Sequence, residues 1–377
     1  MKKRRLKKAV MAAVCIGLII LAALYLPGLM AKEADIPGLT ADDRVMLRIW
    51  VVNAPGGGQA WLKSQLKLFE KQHPGVSTYL RTVSPDELTS PGVILPDIAL
   101  YMPGDITSPE SLFLPLSGEM TARDNGLIRE EMLRCGRWQG QQYGLPLCWG
   151  AWVLAIDSAL EPGSATTPAP TTLLGKPAVT SSAGATPEPG YPLEAASKAD
   201  CALQSPGGAA LFSLARMLTD NPPLPDGFGT LSSADVYAAF QKRQCATAML
   251  TTGQATAFAG IVSGGSGFPF RIMTAEEIIT DQVWLASVTA DAPKEAALLL
   301  SHLSSADAQT ALSSQGLHTV RNDLTLYAAG ISAGVERSAR QSLSAINAYA
   351  DREEVQSNAW QFWSGNLSID EALLPLL

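Results

Sequence analysis

Two sets of residues in this chain are chemically suggestive, and they point in different directions. The first set is catalytic in type but never assembles into a motif. No Gly-x-Ser-x-Gly elbow and no His-Glu-x-x-His pair occurs. Of the 3 histidines, His73 sits beside a proline at a helix end, His302 lies in a late helix, and these and His318 are expected to be structural. A glycosidase needs two carboxyls facing one cleft. The adjacent acids Asp42-Asp43, Glu130-Glu131 and Glu353-Glu354 read instead as solvated faces, because neighbours in sequence do not converge on one point. With no Cys-x-x-Cys spacing and so few histidines, no metal is expected. No cofactor is expected, since the triple glycine Gly56–Gly58 lacks the following Lys-Ser or Lys-Thr of a phosphate loop. The expectation is a protein that is not an enzyme.

The second set suits the holding of a ligand. A neutral, hydroxyl-rich molecule is gripped by aromatic faces against its C–H surfaces and by polar side chains against its hydroxyls. Asn53 and the glycine loop that contains Gly57 end the first predicted strand, where backbone amides could meet a ligand; the alternative is a tight turn. Asp97 and Tyr101 bracket the third strand, and Asp97 either accepts ligand hydroxyls or caps local amides. Trp149 and Trp152 are three apart in one apolar run, so on a strand they face opposite sides and only one can face a cleft. Core packing competes with binding for both of them, and for Trp284.

The elements that must position these residues are legible. Val45 to Val52 is a β-rich apolar run, Gln59 to Gln72 has helical spacing with Trp61, Leu62, Leu66 and Phe69 on one face, and Val76 to Val83 alternates. This strand–helix–strand order is a βαβ unit, the building block of a mainly parallel α/β sheet. Further strands are predicted at Leu95–Tyr101, Leu147–Ile156, Ala246–Leu250 and Trp284–Val288, and a hairpin at Trp138–Pro146. Helices are predicted at Ala209–Leu218, Ser233–Arg243, after Val288, and from Ser332 onward. Between Pro162 and Pro192 the seven prolines exclude long regular elements.

The amino terminus speaks to location. Lys2, Lys3, Arg4, Arg5, Lys7 and Lys8 precede an uncharged stretch, residues 9–31, long enough as a helix to cross a hydrocarbon core of about 30 Å. The basic cluster should stay in the cytoplasm and send the rest outside. Leu29 fits a cleavage site after Ala31 poorly, so an uncleaved membrane anchor (1–31) with a polar tether (32–44) is the expectation and secretion after cleavage the alternative. Cys15, early in the apolar run, reads as a membrane residue rather than a lipoprotein signal. Without residues 1–31 the net charge falls from −7 to −13, which argues against nucleic acid as a partner. Four cysteines remain outside, and Cys135 and Cys148, flanking the hairpin, are the pair expected to bridge.

The order of landmarks resembles the family 1 extracellular solute-binding proteins, the maltose-binding-protein-like receptors of ABC importers. The resemblance is carried by the first strand and helix with FEKQHPGV (Phe69 to Val76), LPDIAL (Leu95 to Leu100), LPLSGEM (Leu114 to Met120) and the hairpin into GLPL (Gly144 to Leu147), whose following strand ends at Ile156-Asp157. It continues in FQKRQCATAML (Phe240 to Leu250) and the late helix pair from Ala292 to Leu324. The family's Trp-bearing helix start is reduced to Pro170-Thr171-Thr172-Leu173-Leu174, and a lipobox is missing. The resemblance implies a class II periplasmic-binding-protein-like fold: lobe 1 from residues 45–147 and 275–317, lobe 2 from 148–274 and 318–377, with crossings near 146–150, 270–276 and 317–322. It further implies a cleft ligand, most simply a carbohydrate, touched by Thr252, Gly253 and Gln254 from the second lobe and by Trp149 beside the first crossing. The implied partner is an ABC permease, with the receptor a monomer on the outer face of the membrane. The alternative is an anchored sensor or envelope interaction protein on the same fold.

Overall fold

The computed structural model describes residues 44–116, 126–158, 209–217, 232–244 and 247–377. The expected anchor, most of the tether, the proline-rich segment with Pro170–Leu174, and Cys15, Cys201 and Cys245 lie outside the described residues. No helix among the described residues is long and apolar enough to cross a membrane.

A six-stranded sheet forms the larger layer, in the order β12 (His318–Thr319), β6 (Leu145–Trp149), β11 (Val283–Val288), β3 (Ile98–Tyr101), β1 (Val45–Val51), β2 (Val76–Thr82). β1, between β3 and edge strand β2, is a run of apolar and β-branched residues, and Leu47, Ile49, Trp50 and Val51 are buried, as suits a strand covered on both faces. Ser77, Tyr79 and Arg81 of edge strand β2 are exposed. Helix α1 (Gly58–Gln72) packs Trp61, Leu62, Leu66 and Phe69 inward at helical spacing, and the Trp61 indole donates to the Ala308 carbonyl at 2.8 Å.

The smaller sheet has the order β8 (Thr247–Thr251), β7 (Trp152–Asp157), β9 (Phe270–Met273). Its core joins Trp152, Leu154 and Ile156 to Phe212 and Leu214 of α2 (Ala209–Ala215) and to Val355, Ala359 and Phe362 of a C-terminal helix, Arg352–Trp363. A two-stranded parallel ribbon, β10 (Ile278–Thr280) with β13 (Leu343–Ala345), lies beside it, and Ile279 is part of the same core.

Two expectations need correction. The sheets are not both mainly parallel: β7 runs antiparallel to both β8 and β9, and β11 runs antiparallel to β3 and β6. The apolar run Leu147–Ile156 is also two strands rather than one. It breaks at Gly150, whose N–H donates to the Gln282 carbonyl at 2.7 Å, so Trp149 and Trp152 sit in different sheets. Period-two reasoning across that break therefore cannot assign their faces. The chain passes between the sheets at Gly150-Ala151 and again at Asp281-Gln282, between β10 and β11.

Candidate functional site

Topology alone brings several strand ends to one edge of the large sheet. β1 and β3 are parallel, so their carboxyl ends lie together. Antiparallel β11 places its amino end beside the carboxyl end of β3, with Leu285 opposite Tyr101. β6 then ends there too, with Trp149 opposite Val283, and β12 begins there, with His318 opposite Trp149. The small sheet meets the same edge. β7 starts at Trp152 opposite Thr251, the last residue of β8, and α4 (Thr252–Ser263, after α3, Ser233–Gln241) begins at once. Crevices beyond the carboxyl ends of strands are the usual ligand sites of α/β proteins.

At this edge Asn53 is exposed just beyond β1, and its amide donates to Asp105 Oδ1 at 2.8 Å. Asp105, just beyond β3, also accepts from the Met102 amide at 2.9 Å and from Arg352 Nη2 at 3.1 Å. Burial raises the Asp105 carboxyl above its ordinary range, and the Met102, Asn53 and Arg352 hydrogen bonds with the Arg352 charge oppose that rise. Asp105 and Arg352 were not singled out from sequence. The signal for Asp105 is its place in Pro103-Gly104-Asp105, which follows β3 as Asn53 follows β1. Arg352 could be found only from the tertiary fold, because it lies 247 residues away from Asp105.

The remaining candidates divide by what their polar atoms already hold. Trp284 is fully buried and its indole donates to the Asn53 carbonyl at 2.7 Å. A Cβ on Gly58 would lie 3.3 Å from the same ring, so Trp284 supports the Asn53–Gly58 loop from beneath. Trp149 is equally buried; its indole donates to the Thr319 carbonyl at 2.8 Å and its ring stacks on His318 at 4.4 Å. The Tyr101 hydroxyl is buried against Ser287 Oγ at 2.6 Å and the Tyr349 hydroxyl at 2.8 Å, and burial raises its pKa. Thr252 is buried, with Oγ1 accepting from the Ala151 amide at 3.3 Å, which pins the start of α4 to the passage between sheets. Gln254 closes a capping box with Thr251 and donates to the Ser233 carbonyl at 3.2 Å. Gly57 is exposed and Gly253 half-buried, and their loops face each other.

Asp97 sits elsewhere. It precedes β3 at the opposite end of the strand, where it accepts from the Arg48 amide at 2.7 Å and from Arg48 Nη2 at 2.8 Å. It is a local cap and ion-pair partner there, remote from the strand-end edge. The expected Cys135–Cys148 bridge is absent: both are buried free thiols. Cys135 Sγ donates to the Ile346 carbonyl at 3.0 Å, while Cys148 pairs in register with Trp284 inside the large sheet. The hairpin between them, β4 (Arg137–Trp138) with β5 (Gln141–Gln142), forms without a covalent clip. Burial raises both thiols.

No family model matches the chain, and no curated protein matches it in sequence. Solved structures do match in fold. The GacH receptor of Streptomyces glaucescens, solved unliganded and with acarbose, matches at TM-score 0.58 and 15% identity, covering 87% of this chain and 95% of that one. The fold is that of the two-lobed sugar receptors. The maltose/maltodextrin-binding domain MalE of Bdellovibrio bacteriovorus, bound to maltotriose, matches at TM-score 0.53 and 14% identity over 87% and 96% of the two chains. The ABC substrate-binding protein Lmo0181 of Listeria monocytogenes, in complex with cycloalternan, matches at 0.54 and 16% over 88% and 97%. The large and small sheets meet at the strand-end edge, where β6 ends at Trp149 and β7 starts at Trp152.

Proposed function

We propose that this protein binds a carbohydrate or related polar solute in the cleft between its lobes and delivers it to an ABC-type permease. The observation that carries the reading is the convergence of strand ends and a helix start from two sheets on one edge, in a fold shared over most of the chain with oligosaccharide-bound receptors. Asn53, Asp105, the amides of the Gly56–Gly57 loop and the Gly253 turn supply the ligand contacts in this reading. Trp149, Trp284, Tyr101 and Thr252 hold those groups in place from the core. No reaction is assigned: the neighbouring structures are described by what they bind. The lobes divide where the chain leaves one sheet for the other. Residues 9–31 tether the receptor, as a monomer, to the outer face of the membrane, with the permease alongside.

Calorimetric titration of the protein with malto-, manno-, xylo- and chito-oligosaccharides tests the reading. Saturable binding of one series is expected, weakened about tenfold or more by Asn53→Ala, on the order of 1.4 kcal/mol. No binding to any series would overturn the carbohydrate reading.

A further inference from the structure

His318 opens β12 at the strand-end edge, and its imidazole is fully buried. Neither ring nitrogen has a hydrogen-bond partner among the described residues. One ring face stacks on the Trp149 indole at 4.4 Å, and the Tyr327 ring meets it edge-on at 5.3 Å. Nδ1 lies 3.7 Å from Glu336 Oε1, too far for a hydrogen bond but near enough for an ion pair once the ring is charged. Glu336, on the helix Ile331–Gln341, is itself buried and already engaged. Its carboxylate accepts from the Leu326 amide at 3.2 Å and from the Tyr327 amide at 3.4 Å. The Tyr327 hydroxyl in turn donates to the Leu317 carbonyl at 2.7 Å, next to His318 in the chain. Arg129, just before the helix Glu130–Cys135, adds a positive charge that disfavours a charged ring. Cys148, the neighbour of Trp149 on β6, is held as a neutral thiol by burial.

We propose that His318 is an acid-sensitive switch: protonating its ring releases β12 from β6 and frees the turn at Leu326–Tyr327. A neutral imidazole suits this ring-lined site, because its missing hydrogen bonds destabilise it less than an unpaired buried charge would. A charged ring carries two N–H donors, and Glu336 is the acceptor set beside it. Turning to meet the ring draws that carboxylate away from the Leu326 and Tyr327 amides. Burial, the largest influence, and the Arg129 charge oppose the charged ring, Glu336 favours it, and the balance holds the His318 pKa below its ordinary 6.5. The stability supplied by the neutral ring is therefore present above that value and lost as pH falls below it. β12 is the element that gives way, since it is two residues long and lies at the end of the strand order. Trp149 donates to the Thr319 carbonyl in the same strand, so release also loosens the support beneath the candidate site. That last consequence rests on the cleft reading; the switch itself does not.

Hydrogen exchange read by mass spectrometry tests this on the full chain, without added sugar. The parent is compared with His318→Gln, whose side chain takes up no proton, at about pH 7.5 and about pH 5. Both proteins are measured at each pH, so the intrinsic pH dependence of exchange cancels in the ratio of their rates. For peptides covering residues 317–330, the parent-to-variant ratio should rise about tenfold from the higher pH to the lower. For peptides of β1 and β3 it should stay unchanged. If His318→Gln does not fold, Glu336→Gln takes its place. That variant lacks the anion that favours the charged ring, so its own acid-induced rise over residues 317–330 should exceed the parent's. An unchanged ratio over residues 317–330, an equal rise throughout the protein, or a Glu336→Gln rise no larger than the parent's would overturn the switch. Because no sugar is added, failure here is separable from failure of the binding reading.

Discussion

Two buried aspartates, one at the strand-end edge and one between β10 and β11, are held by different means. Asp105, at the strand-end edge, faces a cation: Arg352 reaches it from the helix Arg352–Trp363, which packs in the core of the small sheet. Asp281 lies in the passage between β10 and β11 and is fully buried. Its Oδ1 accepts from the Trp152 indole at 2.8 Å and from the Gln282 amide at 2.9 Å. Burial pushes the Asp281 carboxyl up to about 6, and hydrogen bonds from Gln282, Trp152 and the backbone only partly offset it. Neutral donors satisfy a buried carboxylate without repaying the loss of its hydration, whereas a cation repays part of it. Burial raises both carboxyls, and at Asp105 the Arg352 charge is among the interactions that oppose the rise.

The largest effect expected from this contrast is on pH dependence. Asp281 has a folded pKa above its unfolded value near 3.8. Its contribution to stability is therefore complete below that value and lost as pH rises through about 6. Relative to Asp281→Asn, the parent should lose stability between pH 4 and 7 by on the order of 3 kcal/mol, then plateau. Denaturant unfolding at several pH values checks this, and a difference independent of pH would break the contrast. The smaller effect is at Arg352. Its side chain is 40% exposed, so solvent screens the pair, and Arg352→Gln should cost only about 1 kcal/mol or less. A loss several times larger would show that the cleft edge is held as dryly as the passage.

Much of the scaffold was legible in the sequence because periodicity reports burial. Leu47, Ile49 and Val51 announced β1, and Trp61, Leu62, Leu66 and Phe69 announced α1. Strand direction was not legible, since β7, β8 and β9 carry the same apolar runs whether parallel or antiparallel. The site was harder to read for a related reason. Residue type says that Trp149, Trp284 and Tyr101 can stack on or bond to a ligand, but it does not say that a backbone carbonyl or a hydroxyl of the core has already taken their polar atoms. Asn53 and Gly57 could be singled out as candidates because they follow a recognisable strand. Asp105 and Arg352 meet only through long-range packing. Cys135 and Cys148 flank the hairpin in sequence, yet each packs away from it in a separate part of the core.

The central claim is that the edge between Asn53, Asp105 and the Gly253 turn is where a solute binds. A crystal structure of the protein with the tightest-binding oligosaccharide tests it most directly. The account predicts sugar density against Asn53 and Asp105 between the two sheets. Density bound elsewhere, with that edge unchanged, would contradict it.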